Sequence, residues 1–263
     1  MMDWHLGPAA LREALTAVPL PAWRFYPEVD STNDAARRWA AEGAPEGCLV
    51  LAERQTRGRG REGRRWWSAP GASLTFTLVA RPLPPEQAVL ARFTAWGAVA
   101  LAEMLREDYG LPAAVKWPND VLLRGRKVAG VLAEAVWEGA RPQAVVVGIG
   151  INLAPEALSG ANPDFPPTTV AAVLGAPPPR WDFLARLLRR MGHWRYRLAS
   201  AAFVHAWEDL LAYRGQAVRV GAVEGVLLGL DAEGGLRVRL SDGRVHVQRA
   251  LRGHLRPSRG VGA

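Results

Sequence analysis

The sequence predicts an α+β chain in two parts, a larger part over 1–214 and a small all-β module over 215–263. Three observations predict this. Apolar strand-like runs alternate with segments of helical periodicity up to about Arg214. After Gly215 the texture changes to short strands only, with Leu236, Val238 and Leu240 alternating with Arg237 and Arg239. The last 45 or so residues carry the turn signal Asp242-Gly243, as a small β-barrel would.

Residues 1–30 read as a lead-in with one helix near Ala9–Ala17. Asp30-Ser31-Thr32-Asn33-Asp34 supplies N-cap side chains for a helix over Ala35–Ala41. Leu49–Ala52 is a buried strand, Gln55–Trp67 a Gly/Arg loop and Ala72–Ala80 a second strand. Arg81–Pro85 is a turn before a long helix in which Leu90, Phe93, Gly97, Leu101 and Met104 recur at spacings of three and four. Val115–Trp117 is a short strand, and Val121–Leu123 with Lys127–Val136 forms a hairpin about Arg124-Gly125-Arg126. Ala144–Ile151 is another apolar strand; 154–180 is rich in Pro, Gly and Ala, with one short helix near Val170. Trp181–Leu198 and Phe203–Tyr213 are amphipathic helices. Gln216–Val220, Gly225–Leu230, Leu236–Leu240 and Arg244–Gln248 complete the β module.

Composition narrows the function classes. With 49% hydrophobic and 22% charged residues, the chain is an ordinary globular protein. No stretch is long and apolar enough to span a bilayer, and Arg12 and Glu13 interrupt the only candidate core of a secretory signal. A cytoplasmic protein with no membrane partner is expected. The single cysteine, Cys48, excludes an internal disulfide and a multi-cysteine metal site; it opens an apolar run and reads as a buried hydrophobe. His5, His193, His205, His246 and His254 match no metal or triad spacing and receive no role. The net charge of +8 suits anionic substrates or nucleic acid, but the arginines are spread along the whole chain, which weakens the nucleic-acid reading.

The rare residues point to chemistry. Of 33 basic residues only Lys116 and Lys127 are lysines, and both lie within Val115–Gly130. Lysine is not interchangeable with arginine where a compact point charge is needed. Asn33, Asn119 and Asn152 each sit beside a turn, which turn preference alone explains for one or two of them.

The segment Gln55-Thr56-Arg57-Gly58-Arg59-Gly60-Arg61-Glu62-Gly63-Arg64-Arg65-Trp66-Trp67-Ser68 concentrates positive charge on a glycine-hinged loop. It lacks the Gly-Lys-Ser/Thr of a Walker loop and the spacing of the dinucleotide fingerprint. Such a loop suits a reaction between two anions. A carboxylate approaching the α-phosphate of ATP meets a repulsion of about 4 kcal/mol per charge pair at roughly 4 Å and an effective dielectric near 20. Arginine forks on both groups cancel it and stabilise the transition state. An RGG-type RNA segment is the bland alternative, but those are repeated, and this segment occurs once between two strands. Trp66-Trp67 can wall an adenine or simply pack.

Lys116-Trp117-Pro118-Asn119-Asp120 is by itself a plain turn; the lysines at 116 and 127 make it a candidate site that bridges a carboxylate and an α-phosphate. Val147–Asn152 is a strand whose glycines permit close approach of a ligand or another backbone, or else mark a bulge. Ser31-Thr32-Asn33 is a helix cap that can also present N–H groups and hydroxyls to a polar ligand head.

Together, Gly58-Arg59-Gly60-Arg61-x-Gly63-Arg64-x-Trp66, Lys116-Trp117-Pro118-Asn119-Asp120 and Lys127-x-Ala129-Gly130 resemble the biotin protein ligase family, over about residues 28–258. The resemblance implies a mixed, mainly antiparallel sheet flanked by helices, with an SH3-like C-terminal domain. It places biotin against Ser31, Thr32, Asn33, Gln55, Arg59, Gly60, Arg61 and Lys127, and ATP against Arg61, Trp66, Lys116, Asn119 and Asn152. Mg²⁺ would ride on the ATP phosphates, with no protein ligand assigned. Lys127, Arg61, Arg59 and Lys116 would serve the chemistry, and Asp120 would orient or deprotonate the incoming amine. The implied reaction forms biotinyl-5′-AMP and then biotinylates a lysine of a biotin carboxyl carrier protein, the acetyl-CoA carboxylase subunit. The family allows homodimers paired through sheet edges. Some members carry an N-terminal winged helix-turn-helix; the roughly 30 residues before Ser31 lead us to expect a ligase without specific DNA binding or repressor activity. Two readings compete: a lipoate or octanoate ligase or transferase, and a nucleic-acid-binding protein built on the arginine loop.

Overall fold

The structure is a computed structural model that describes residues 6–160, 165–249 and 255–258. Its main sheet has seven strands: β1 (Trp23–Val29), β2 (Leu49–Gln55), β3 (Ser73–Ala80), β4 (Ala113–Lys116), β5 (Asp120–Leu123), β6 (Arg126–Glu138) and β7 (Arg141–Asn152). They lie in the order β1-β2-β3-β7-β6-β5-β4. Only β1 and β2 run parallel; every other neighbouring pair is antiparallel. This is the mixed, mainly antiparallel sheet expected.

The alternation of side chains across each strand decides what the two faces do. Leu49 and Leu51, Leu74, Phe76 and Leu78, and Val145, Val147, Ile149 and Ile151 point to one face. There they meet α1 (Ala9–Leu15), α4 (Arg92–Glu107), α6 (Arg180–Trp194) and α7 (Ala201–Asp209) in one large core. On the other face α2 (Thr32–Ala41) sets Ala35, Ala36 and Ala40 on Val50, Val79, Ala144 and Val146. Farther along those strands the same face turns small or polar, through Ser73, Thr75, Thr77, Gly148, Gly150 and Asn152. There the sheet is left open to a ligand. Cys48 is free and fully buried beside α2. No helix among the described residues is long and apolar enough to cross a membrane.

The second sheet has five antiparallel strands, β8 (Ala217–Val220), β9 (Val223–Leu230), β10 (Leu236–Arg239), β11 (Val245–Gln248) and β12 (Leu255–Pro257), in the order β11-β10-β9-β8-β12. Leu236 and Val238 are buried while Arg237 and Arg239 are exposed, as their alternation predicts. The arrangement fits the small barrel expected after Arg214.

Several elements differ from expectation. The lead-in holds β1, a strand concealed by Arg24, Pro27 and Glu28, which sits at the sheet edge where polar residues and proline are tolerated. Arg81–Pro85 leads into a one-turn helix, α3 (Pro84–Gln87), with Pro84 and Pro85 at its start. α6 ends at Trp194 in a single 3-10 turn over Arg195–Arg197, and α7 stops at Asp209, four residues short of Tyr213. β12 carries no alternation over its three residues and was not expected. A further helix, α5 (Val170–Leu174), is capped by Thr169 and lies where expected.

Candidate active site

The arginine loop closes on itself. Gly60 N–H donates to Arg64 O at 2.7 Å, and Trp66 N–H donates to Gly58 O at 2.9 Å. A single 3-10 turn over Arg61–Gly63 forms its tip. Arg59 ties the loop to α2: its guanidinium grips Asp34 with both terminal nitrogens, at 2.5 and 2.7 Å, and reaches Glu134 at 3.5 Å. The bond to Arg59 holds the Asp34 carboxyl below the usual carboxylate range, and Asp34 in turn raises the guanidinium above its ordinary value. Arg59 therefore lines the site with its charge already matched. Arg61 lies deeper and donates to Asn119 Oδ1 at 3.3 Å; burial lowers its guanidinium from the ordinary value.

The lysines converge as their rarity suggested. β5 and β6 are joined by a two-residue turn in which Arg124 and Gly125 have φ of 49° and 74°. The hairpin brings Lys127 Nζ to 2.6 Å from Asp120 Oδ1, while Lys116 Nζ, at the end of β4, stands 2.8 Å from Oδ2. Trp117–Pro118 is cis. Asp120 is 4% exposed and Lys116 2%. Burial alone would raise the Asp120 carboxyl, but Lys127 and Lys116 together hold it below the carboxylate range. Burial lowers the Lys116 ammonium from its ordinary value, against the pull of Asp120 and helped by the nearby charges of Lys127 and Arg64. Its Nζ also lies 4.2 Å from the Phe165 ring centroid. The structure places Asp120, expected to orient or deprotonate the incoming amine, between the two lysines.

Ser31-Thr32-Asn33 is chiefly internal bracing. Ser31 Oγ accepts from Asp34 N–H at 3.4 Å as the N-cap of α2. Thr32 N–H donates to Gln55 Oε1 at 2.8 Å. Asn33 donates to Glu134 Oε2 at 2.7 Å and to Leu132 O at 3.2 Å, and accepts from the Thr77 hydroxyl at 2.7 Å. The β7 glycines prove to be places of close approach by side chains, and no bulge interrupts the pairing there. A β-carbon on Gly148 would collide with the Asn33 amide, and one on Gly150 with the Trp66 indole.

These elements enclose one cavity of about 430 Å³. Of the site residues expected from sequence, Thr32, Gln55, Arg59, Gly60, Arg61, Trp66, Lys116, Asn119, Asp120, Lys127 and Asn152 line it; Ser31 and Asn33 lie behind its wall. Asn119 is fixed by donating to Val131 O at 3.0 Å, and Asn152 by donating to Thr168 O at 3.2 Å. The lining carries six cationic side chains, Arg59, Arg61, Arg64, Arg65, Lys116 and Lys127, against the single carboxylate Asp120. It is built for anions. A divalent ion has no natural seat on it: the one carboxylate is held by two lysines, and no cluster of three His, Cys, Asp or Glu groups occurs among the described residues. His5 and His254 lie outside the described residues.

Sequence reasoning missed several participants. Asp34 and Glu134 hold Arg59, Phe165 backs Lys116, and Thr75 lines the cavity. One signal was available: Ser73, Thr75 and Thr77 repeat with period two in an otherwise apolar strand. Phe165 stands in a Pro- and Gly-rich stretch without periodicity, and nothing marked it.

Comparison with known proteins identifies relatives of the chain. The model of the biotin/lipoate A/B protein ligase family matches residues 25–152. A biotin–[acetyl-CoA-carboxylase] ligase of Paracoccus denitrificans is 38% identical over 226 residues, 82% of this chain and 93% of that one. The bifunctional ligase/repressor of Bacillus subtilis is 40% identical over 129 residues, 49% of this chain; the match spans only 39% of that protein's length. The solved biotin protein ligase from Aquifex aeolicus, in complex with biotin and ATP, superposes with a TM-score of 0.75 at 29% identity, covering 91% of this chain and 100% of that one.

Proposed function

The chain belongs to the biotin protein ligase family, and from that premise we propose that it is an ATP-dependent ligase joining biotin to a lysine of a biotin carboxyl carrier protein. The observation that carries this reading is the gathering of Arg61, Lys116 and Lys127 on one cavity with a buried carboxylate between the lysines. In the first step a biotin carboxylate oxygen attacks the α-phosphorus of ATP. The P–O bond to pyrophosphate breaks, and biotinyl-5′-AMP remains. Lys127 and Arg61 neutralise the two reacting anions, and Lys116 stabilises charge developing on the α-phosphate. Asp120 sets the positions of both ammonium groups. In the second step the neutral ε-amine of the acceptor lysine attacks the acyl carbon, AMP departs, and an amide forms as the amine sheds its proton. The loop over 57–67 covers the adenylate and keeps water away. Mg²⁺ enters as part of the nucleotide substrate.

Biotin lies against Thr32, Gln55, Arg59, Gly60, Arg61 and Lys127, and ATP against Arg61, Trp66, Lys116, Asn119 and Asn152, while Ser31 caps α2 and Asn33 braces the wall from behind. The proposal includes a boundary at residue 214, an SH3-like character for 215–263, a cytoplasmic location and a homodimer paired through a sheet edge. β1 has no partner strand on its outer side among the described residues and is the natural edge for it.

Incubation with biotin, MgATP and an acceptor domain, followed by the intact mass of the acceptor, tests the reading. A covalent biotin on one acceptor lysine is expected; an unmodified acceptor beside an active control enzyme sinks it. Pyrophosphate exchange supported by lipoate and not by biotin would move the chain to the other branch of its family.

A further inference from the structure

On β3, three hydroxyls point to the open face of the sheet, and two of them are already engaged. Ser73 Oγ accepts from Ala69 N–H at 3.1 Å. The Thr77 hydroxyl lies 2.8 Å from that of Thr32 and donates to Asn33 Oδ1 at 2.7 Å. Thr75, between them, lines the cavity, is 4% exposed, and its Oγ1 has no hydrogen-bond partner among the described residues. The neighbouring Trp66 Nε1 is buried and equally without one. Leaving a buried hydroxyl unsatisfied destabilises a fold, and such groups call for an explanation.

The register supplies one. Asp120, Gly130, Gly150 and Thr75 stand in a row across β5, β6, β7 and β3. Lys127 Nζ stands over Gly130, 3.2 Å from where a β-carbon would lie. Two strand spacings of about 4.8 Å, roughly 10 Å in all, separate Gly130 from Thr75. A carboxylate on Lys127 and a polar group on Thr75 are thus the two ends of a ligand about that long, whose chain runs alongside the Trp66 indole seated on Gly150. We infer that Thr75 is a specificity-determining residue: its hydroxyl hydrogen-bonds the polar head of the acid, remote from the carboxylate. This rests on the proposed ligase reading and deepens it. A cyclic urea satisfies Thr75; the sulfur ring of lipoate or the plain tail of octanoate leaves it buried and unpaired, and a site of that kind discriminates strongly.

The test is biotin binding by calorimetry without ATP, and biotin- or lipoate-dependent pyrophosphate exchange, in wild type, Thr75→Val and Thr75→Ser. Valine keeps the shape and strand preference and removes the hydroxyl. We expect the biotin Kd and KM to rise about tenfold in Thr75→Val. The KM for ATP and any exchange with lipoate should stay unchanged, the thermal midpoint should not fall, and Thr75→Ser should restore biotin affinity. Unchanged biotin affinity in Thr75→Val overturns the inference, as does an equal loss for biotin and lipoate. If valine fails to fold, Thr75→Ser and Thr75→Ala decide: the serine must exceed the alanine in biotin affinity, and equal affinities overturn the inference. A wild type that exchanges pyrophosphate with lipoate and not with biotin overturns both this inference and the function on which it rests.

Discussion

With one carboxylate shared between two ammonium groups, the fate of three charges depends on a single side chain. Replacing Asp120 by Asn leaves Lys116 and Lys127 facing each other without a counter-charge in a buried site. Breaking a buried ion pair by removing one partner costs about 3–5 kcal/mol, and denaturant unfolding at pH 7 should show a loss of that order. The pH dependence carries a definite sign. Because the lysines hold Asp120 below its ordinary range, the unfolded chain takes up its proton first as pH falls. The stabilisation is therefore complete above about pH 3.9, the ordinary carboxylate value, and is lost as pH drops through the lower folded value. Unfolding free energies measured down the acid limb should converge for wild type and Asp120→Asn; parallel curves would deny the ion pair this role. The catalytic roles proposed for Arg61 and Lys127 are tested by removing each side chain. Arg61→Ala and Lys127→Ala should each lower biotin-dependent pyrophosphate exchange by about 10²–10³, the range for losing one preorganised charge donor, with far-UV circular dichroism unchanged. Wild-type exchange in either variant counts against the mechanism.

Among the elements, the arginine loop depends most on a contact outside itself. Its backbone makes few bonds beyond its own turn, and Arg59 buckles it onto the first turn of α2 through Asp34. Asp34→Ala removes that buckle and leaves the Ser31 cap in place, since the cap uses the Asp34 backbone N–H. Limited trypsin digestion should then cut after Arg57, Arg61 or Arg64 several times faster than in wild type, while the melting temperature moves little. An unchanged cleavage rate would mean that the loop's own hydrogen bonds suffice. This element also shows what could be read from residues alone. The loop, the lysine hairpin and the cap were legible because glycine, lysine and asparagine are costly or rare where they stand. β1 was not, because an edge strand tolerates Arg24, Pro27 and Glu28 and so lacks the apolar signature of β2 and β3. Nor was the engagement of Arg59 with Asp34 and Glu134, which lie 25 and 75 residues away in sequence. Local pattern identifies charges; only the fold decides which of them are already matched.

At the scale of the whole molecule, the β module and the sheet that carries the site share one core. The buried cluster that contains Leu11, Phe76, Leu101 and Ile149 continues without a break through Val218, Leu227, Leu236 and Leu255. Polar contacts cross the same boundary, one of them from the cavity wall. Trp117, between Lys116 and Pro118, donates its indole N–H to Gly234 O at 2.9 Å, and Arg92 at the start of α4 donates to Ala232 O at 2.5 Å. β4 is stitched to the end of the helical region as well, Val115 N–H to Leu210 O at 2.7 Å and Ala212 N–H to Val115 O at 2.9 Å. A module joined to its neighbour by burial and by a hydrogen bond to the Lys116–Asn119 turn should not melt by itself. Wild type should therefore unfold in one cooperative transition, with tryptophan fluorescence and far-UV circular dichroism coincident in denaturant. Trp117→Phe keeps most of the packing and removes one hydrogen bond, so it should lower stability by about 0.5–1.5 kcal/mol, or more through the Gly234 carbonyl left unpaired, and should raise the KM for ATP through the displaced Lys116–Asn119 turn. Two separated transitions in wild type, or a Trp117→Phe variant whose KM for ATP is untouched, would show that the β module stands apart from the chemistry and that the continuity of the core has no functional consequence.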